Sequence, residues 1–544
     1  MSSHRSGRLA PPAAGPYRRP VRRYAISLLV LAAAGCATEP TGPVGPESPP
    51  LVCGSSAVSV PVGTSVRPAA GSLSCRLAAE SGAEYALAVL DAQPIEDAEL
   101  TWESVLSDYV VTLTVGGSSA AAATGLALRG ASGAGALDAG DVMDAERTGE
   151  PSGSPADRDR PWNLGERFWV IDDISSYLRN ARVLRIYDER YVVAWFENGD
   201  STRLSTWLPR LDSAFPVVRQ HAFPLLRSTF VDAAPTTSAR SGQYLILLRD
   251  TLGSYAGYAY SVAAGDTVSA WVYLKVDTAY QTTGLASLLA HEMTHSYQRM
   301  YMHATRGLRA TSRVGAATWG TEGGANLLSY ETMRRSAGLP LDGNYDWRAP
   351  DADAAARHVA RRAQPATGEF TAGYDNAMGF LRRLVVQLVR SGATVDAAVR
   401  TVARGAVEGW YGYDGITHRT GLASRMRALL DYRWDPAEAL LDWTLSHAAD
   451  DLTDDPEFQD RTSLRVWDIP AGTAGWRASA TLTSAQPDQA LVERRYGSPF
   501  FAYLLDGGSG ITLDIAAYRN FQGDQVPSPP PQPIDVRWKL VRIR

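Results

Sequence analysis

The segment Leu285–Tyr301 reads LASLLAHEMTHSYQRMY, and its pattern decides how the rest of the chain is interpreted. Its apolar residues recur at the spacing expected for an α-helix with one buried face. These residues are Leu285, Leu288, Leu289, Met293, Tyr297 and Met300. The segment is therefore predicted to form a buried or half-buried helix, and it carries two histidines and a glutamate.

The histidines have the spacing of metal ligands. Residues four apart in a helix project from one face, so His291 and His295 can both direct an imidazole nitrogen to one ion at about 2.0 to 2.1 Å. Glu292 lies about 100° around the helix, close enough to reach a metal-activated water without being a ligand. Zinc lowers the pKa of such a water, and a carboxylate can accept its proton and later protonate a leaving amine. The motif predicts a zinc metallopeptidase.

An accidental pair of core histidines is the alternative interpretation. The chain has eight histidines in 544 residues, and chance gives roughly 0.005 HExxH matches in such a chain. Two unpaired histidines in an apolar helix would also be costly. The metal-site interpretation is favoured.

A zinc site of this kind needs a third protein ligand. The metzincin pattern has a glycine three residues and a histidine six residues after the second motif histidine, where this chain has Gln298 and Tyr301. His303 lies three turns along the same helix from His291, which is too far to share an ion. The remaining candidate is a carboxylate on a following helix.

Such a carboxylate occurs in Trp319–Glu331, which reads WGTEGGANLLSYE. The segment resembles the WxxEGxA signature that carries the glutamate ligand in gluzincin peptidases. The matching residues are Trp319, Glu322, Gly323 and Ala325. The resemblance implies one zinc ion bound by His291, His295 and Glu322, with water at the open fourth position.

Two neighbours of Glu322 bear on this interpretation. Glu331 is nine residues further on, on the opposite face, and cannot serve together with Glu322. Asn326 lies one turn beyond Glu322 and is predicted to orient a ligand imidazole, although thermolysin-like members have an aspartate there. The alternative for Glu322 itself is a solvated acid near the positive end of the helix dipole.

A donor for the developing oxyanion is also expected near the site. Tyr374, at the start of a predicted helix, resembles the tyrosine that follows the EGxA helix in aminopeptidase-like gluzincins. His358 and His418 are competing candidates. A packing or surface role is the alternative for each of the three.

The order of elements over roughly residues 160 to 450 resembles that of hyicolysin-type peptidases. The strand Ala270–Val276 precedes the motif helix and is predicted to be the sheet edge along which a peptide binds. The expected fold class is multidomain α+β. It has a zincin-type catalytic domain, with a mixed sheet, the HExxH helix and a following helical subdomain, flanked by N-terminal and C-terminal β-sandwich-like domains.

The composition divides the chain into seven segments. They are a signal peptide with lipobox (1–36), a tether (37–50), a small β domain (51–117), a flexible linker (118–160), the α/β part of the catalytic region (161–280), its helical part with the zinc site (281–450) and a C-terminal β domain (451–544). The linker could instead be an irregular loop, and residues 51–160 could act as a propeptide. Pro209, Pro216 and Pro224 are predicted to break residues 202–230 into two or three short helices.

The N-terminus has the features of an export signal. Arginines precede the apolar run Tyr24–Ala34, which is too short to span a bilayer. The run leads into Ala33-Ala34-Gly35-Cys36, which resembles the lipobox of bacterial lipoproteins and implies lipidation of Cys36. A plain secretory signal and twin-arginine export are alternatives. The protein is expected to be exported and anchored by lipid outside the cytoplasm.

The other two cysteines and the net charge agree with this location. Cys53 and Cys75 are expected to form a disulfide in an oxidising compartment, the alternative being two buried thiols. The signal carries six arginines and no acids, so its removal changes the formal net charge from −5 to −11. That charge argues against nucleic acid as a partner.

The leading hypothesis is a zinc endopeptidase of gluzincin type that acts on protein or peptide substrates outside the cytoplasm and is held at the membrane by its lipid anchor. Two alternatives come from other classes. One is an adhesin-like surface-binding lipoprotein on a peptidase fold that has lost turnover. The other is a zinc hydrolase of a non-peptide amide or ester, since the same residues would serve that reaction. The oligomeric state does not follow from the sequence.

Overall fold

The computed structural model describes most of the chain after the N-terminal fifty residues. The described ranges, several with short internal gaps, are 51–91, 106–114, 160–306, 318–339, 374–409, 421–449 and the strands between 480 and 542. The predictions for the signal with Cys36, for the tether and for nearly all of the linker lie outside the described residues.

The first described strands carry the cysteine pair. They are β1 (Leu51–Cys53), β2 (Ser65–Pro68), β3 (Ser74–Leu77), β4 (Glu84–Asp91) and β5 (Leu106–Thr114). A disulfide joins Cys53 of β1 to Cys75 of β3, the pairing expected from the sequence. Both cysteines are buried.

A six-stranded mixed sheet forms the centre of the predicted catalytic region. Its strands are β6 (Arg167–Asp172), β7 (Tyr177–Tyr187), β8 (Tyr191–Phe196), β9 (Tyr244–Arg249), β10 (Gly257–Ala264) and β11 (Thr267–Lys275). The spatial order is β10-β11-β9-β8-β7-β6. Strands β8, β9 and β11 run parallel, whereas β10 pairs antiparallel to β11 at one end of the sheet.

The central strands are buried on both faces, as continuous apolar sequences predict. Alternate residues of β8 and β9, such as Val193 and Ile246, pack with the helices, while Val192 and Leu247 belong to the core on the other face. The sheet order corrects one expectation. The strand Ala270–Val276 is not the edge, because β11 lies between β9 and β10, and the edge strand is β10.

One helical run follows β8. Its segments are α1 (Leu204–Val217), a π turn (Val218–Ala222) and α2 (Phe223–Thr229). The predicted division into two or three short helices is confirmed by α1 and α2 with the π turn between them. The prolines do not all mark the breaks, because Pro209 and Pro216 lie inside α1, whereas Pro224 lies in the first turn of α2, where a missing N–H costs little. The π turn changes the hydrogen-bond register just after Pro216, and the fully buried Trp207 and Leu211 anchor the run against the sheet.

The helices expected for the second part of the predicted catalytic region follow the sheet. Its helices are α3 (Thr282–Arg306), α4 (Thr318–Ser336), α5 (Tyr374–Arg390), α6 (Val395–Glu408), α7 (Leu422–Leu429) and α8 (Pro436–Ala449). Helix α3 contains the predicted motif helix and packs on α1, α4 and the sheet. Among the described helices, none combines the length and apolar character needed to cross a membrane.

The last strands return to the beginning of the chain. They are β12 (Ala480–Leu482), β13 (Asp488–Tyr496), β14 (Phe500–Asp506), β15 (Ile511–Asp514), β16 (Ala516–Phe521), β17 (Gln532–Pro533) and β18 (Val536–Arg542). Strand β4 lies between β14 and β18, and β5 lies between β13 and β16. Strand β3 pairs with β15.

These pairings correct the expectation of two separate flanking β domains. The described strands of the predicted N-terminal domain share their sheets with strands of the predicted C-terminal domain. The physical reason is that a strand needs hydrogen-bond partners on its edges, and here each segment supplies the partners of the other. An alternating sequence shows that a strand forms, but not which strand it pairs with.

Helices α4 and α6 approach closely at Gly320, two residues before the predicted ligand Glu322. A Cβ atom at Gly320 would collide with the backbone carbonyl oxygen of Ala406 in α6. Gly320→Ala is therefore expected to destabilise the protein by roughly 1–3 kcal/mol, because the two helices must separate. Urea denaturation measures the change.

Gly54→Ala is the matched control, because a Cβ there meets no atom within 4 Å. Equal free energies of unfolding for the two variants would contradict the close packing at Gly320.

Candidate metal centre

The motif helix and the glutamate helix are held side by side. The apolar face of α3 is fully buried, with Leu285, Leu289 and Met293 all at 0 % exposure. The hydroxyls of Ser287 in α3 and Ser329 in α4 lie 2.7 Å apart, and the Ser329 hydroxyl also donates to the Ser287 carbonyl oxygen at 2.8 Å. This pair fixes the register between the two helices, so side chains one and two turns away from it meet at a defined point.

That point brings together His291, His295 and Glu322. The Nε2 atoms of the two histidines are 3.1 Å apart, and Oε2 of Glu322 lies 3.2 Å from Nε2 of His291 and 3.4 Å from Nε2 of His295. Zinc at about 2.0 to 2.1 Å from each atom of a tetrahedral site gives ligand-to-ligand distances of about 3.3 to 3.4 Å. The three atoms form one face of such a tetrahedron, and the group could hold a metal ion.

The outer nitrogens of both imidazoles are held by amide side chains. Nδ1 of His295 lies 2.9 Å from Oε1 of Gln298, whose Nε2 donates to the carbonyl oxygen of Thr321 at 2.9 Å. Because a carbonyl can only accept, the amide oxygen of Gln298 must face His295, and Nδ1 of His295 is the donor. Its Nε2 lone pair is then left for a metal.

Asn326 occupies the equivalent place on the other histidine. Its Oδ1 lies 2.8 Å from Nδ1 of His291, as expected of a residue that orients a ligand imidazole. Sequence reasoning did not identify Gln298, because its contact with His295 depends on Thr321 of α4. The available signal was an amide one turn from the second histidine, on the same helix.

The charges of the group are strongly coupled. Burial alone would raise the pKa of Glu322, but the charge of His295 and contact with both imidazoles hold it well below its usual range. Burial alone would lower the pKa of His295, yet Glu322 raises it to about 9. Among the described residues, no donor is aligned for a hydrogen bond with Oε2 of Glu322. A cation between these groups satisfies that oxygen, so the donor set fits a metal ion.

Glu292 lies beside this group but does not belong to it. It is 5 % exposed, and burial raises the pKa of its carboxyl, with the two histidines opposing the rise. The backbone of the edge strand runs directly against it: a Cβ at Gly257 would lie 2.9 Å from Oε1 of Glu292. Any other residue at position 257 would force the Glu292 carboxylate to move. Sequence reasoning missed Gly257, because nothing local connects it to the motif.

Tyr374 is the first residue of α5, and its side chain, like all of His358 and His418, lies outside the described residues. His303 lies on α3 but not in the group of potential ligands. Glu331 is fully buried and makes an ion pair of 2.8 Å with Arg334, so it has a packing role on α4.

The raised pKa of His295 has a consequence for the metal-free protein. A histidine with a folded-state pKa of about 9, against a usual 6.5, stabilises the fold fully below pH 6.5 and loses that contribution as the pH rises through 9. Metal-free protein is expected to lose on the order of 1–3 kcal/mol between these pH values. Thermal unfolding across the range measures this. Zinc-loaded protein is the control and should show no such loss, and a metal-free protein equally stable at both ends would contradict the coupling.

Comparison with known proteins adds no further constraint. No protein-family description matches the chain, and a search of curated proteins found no match. The interpretation of the site therefore depends on its own geometry.

Proposed function

We propose that the protein is a gluzincin-type zinc peptidase, in which His291, His295 and Glu322 bind one zinc ion and Glu292 acts as the general base. The observation that carries the proposal is the convergence of three ligand atoms at the edge lengths of a tetrahedral zinc site. Three protein ligands would leave the fourth position of a tetrahedral site for water or substrate, which is the arrangement of catalytic rather than structural zinc.

The donor set supports zinc over the hard cations. Two imidazole nitrogens and one carboxylate oxygen suit zinc, whereas magnesium and calcium prefer ligand sets made of oxygen atoms. When bound, zinc polarises a substrate carbonyl and makes a water acidic enough to react near neutral pH. The protein supplies two imidazole rings, held by Gln298 and Asn326, and the carboxylate of Glu322.

Glu292 supplies the proton transfers. A general base works best when its pKa lies near the working pH, and burial moves the pKa of Glu292 upward from the value of an exposed carboxyl. The same group, once protonated, can pass the proton to the leaving amine. Its position next to the ligands, with no ligand role of its own, suits both steps.

A peptide substrate is supported by the edge strand. Among the described strands, β10 pairs with β11 on one side and has no partner on the other, and its first residue, Gly257, lies against the Glu292 side chain. An extended peptide can add to such an edge through main-chain hydrogen bonds. That places a scissile bond beside the proposed base. In this proposal β10 takes the role that the sequence suggested for Ala270–Val276.

The proposal includes the cellular location expected from the sequence. The protein is exported, its Cys36 carries lipid, and the zinc site works outside the cytoplasm on protein or peptide substrates. The disulfide between Cys53 and Cys75 suits an oxidising compartment. The net negative charge of the mature chain speaks against nucleic acid as a partner.

Glu292→Gln tests the enzyme and its mechanism together. The variant is expected to bind zinc as the wild type does and to lose on the order of 10²- to 10⁴-fold in kcat, because it lacks the base but keeps the ligands. Metal analysis and cleavage of a mixed peptide library measure the two properties. His291→Ala, which lacks a ligand, is the control and should lose zinc as well as activity.

The outcomes separate the alternatives. Zinc in wild-type protein without cleavage of any peptide, amide or ester would favour the surface-binding alternative. Cleavage of esters or small amides but not peptides would favour the non-peptide hydrolase. Hydrolysis by Glu292→Gln at the wild-type rate would refute the assigned base.

Gly257→Ala tests the contact between the edge strand and the base. The added methyl group must displace the Glu292 carboxylate, so kcat/KM is expected to fall on the order of 10²-fold while zinc content stays unchanged. Ser261→Ala on the same strand is the control. Full activity of the glycine variant would show that Glu292 does not need its present position.

A further inference from the structure

A second cluster of reactive side chains lies between α8 and the terminal sheet, on other elements than those that carry the candidate metal ligands. Lys539 of β18 and Asp442 of α8 are both 8 % exposed. The Lys539 Nζ atom is in direct contact with Oδ1 of Asp442 and lies 3.9 Å from Oε2 of Glu438, one turn earlier on the helix. An amine and two carboxyl groups thus meet at a buried junction.

The choice of lysine at this position is unusual for this chain. Of its 53 basic residues only two are lysines, Lys275 and Lys539. Arginine is the better residue for a buried ion pair, because it is always charged and binds a carboxylate with two donors. In a neighbouring pair, Arg537 of β18 contacts Asp435, the residue before α8, at 2.7 Å, and the chain uses arginine there although both side chains are only partly buried. Lysine at position 539 supplies a group that arginine lacks, a primary amine that can act as a nucleophile.

The surroundings disfavour two separate charges. Lys539 stands opposite Ala88 of β4 in the sheet, and both Ala88 and Val541 are fully buried. On the helix side, Leu441 is fully buried next to Asp442. Desolvation of a buried ion pair is costly, and an uncharged amide in the same place avoids that cost.

Glu438 is placed to move protons. Its side chain is only partly buried, with 42 % exposed, yet burial raises the pKa of its carboxyl; Lys539 opposes the rise and Asp442 adds to it. A carboxyl group that keeps its proton closer to neutral pH can give and take protons within one reaction. It faces the same amine that contacts Asp442.

We propose that Lys539 and Asp442 form an intramolecular isopeptide bond, with Glu438 as the proton relay. The Lys539 amine, after giving a proton through Glu438 to an Asp442 oxygen, attacks Cγ of Asp442. The N–Cγ bond forms, a second amine proton passes through Glu438 to the same oxygen, and the C–O bond breaks. One water leaves, Glu438 is unchanged, and the ammonium and carboxylate have become one amide and one water, so no oxidant or other reactant is needed.

The bond ties the last strand of the chain to the last helix of the catalytic region. The two residues are 97 positions apart in sequence, and β18 is paired with β4 of the N-terminal segment. The covalent tie acts on a different part of the chain from the disulfide, and reducing agents do not break it. It is independent of the zinc site, so its presence or absence says nothing about the proposed peptidase activity.

Peptide mapping of the reduced full-length protein tests the proposal. Trypsin should leave the peptide of residues 538–542 uncut at Lys539 and joined to the peptide of residues 434–461, with a mass equal to the sum of the two less one water. In Asp442→Asn, ammonia replaces water as the leaving molecule, so the linked peptide should have the same mass as in the wild type. Lys275→Arg, which changes the other lysine, is the control and should retain the link.

Two variants remove the reaction while keeping the charge pattern or the ion pair. Lys539→Arg cannot form the amide, and Glu438→Gln keeps the amine and Asp442 but removes the relay. Both variants should give only unlinked peptides. Far-ultraviolet circular dichroism establishes that each variant is folded. Unlinked peptides alone in the wild type would overturn the proposal. If Lys539→Arg still shows the loss of water, that loss arises at another site and the proposal is also overturned. Linkage at the wild-type level in Glu438→Gln would refute the role of Glu438 as proton relay.

Discussion

The alignment of α3 against α4 is the constraint on which the site depends. No single helix can surround an ion, so two residues of one helix and one of the next must meet within a few tenths of an ångström. The chain achieves this with the Ser287–Ser329 hydroxyl pair, with Gln298 reaching to the Thr321 carbonyl, and with the absence of a side chain at Gly324, where a Cβ would lie 3.1 Å from Nε2 of Gln298. Small groups at the contact allow close approach, and hydrogen bonds then set the register.

The sheet and the helices α6 and α7 hold α3 in place against α4. The sheet buries one face of α3, and a polar cluster holds its far end: the Tyr301 hydroxyl donates to Glu408 of α6, and Arg425 of α7 completes the contact with Glu408 at 2.6 Å. These groups are largely buried and mutually satisfied. Such a network favours one arrangement of the helices over others, which is what a metal site with fixed ligand distances requires.

Local signals in the sequence predicted the parts of the structure that depend on local physics. Helical periodicity placed α3, and the spacing of His291, Glu292 and His295 followed from helix geometry. Glu322 needed the resemblance to a known signature, because nothing in the intervening residues indicates how the next helix is oriented. Gly257 and Gln298 could not be found in this way, since each matters through a neighbour that only the tertiary fold supplies. The order of the strands is likewise a property of the whole sheet, so the edge was assigned to the wrong strand.

The pairing of the two chain ends has a consequence for how the protein is made. Strand β4, complete by residue 91, finds its partners β14 and β18 only after residue 500, so a growing chain carries it for more than four hundred residues with both edges open. Open edges of this kind invite association with other chains. Until β18 has been synthesised, the nascent polypeptide needs protection from aggregation. A version truncated before β14 and β18 would keep β4 with unpaired edges that can associate with other chains.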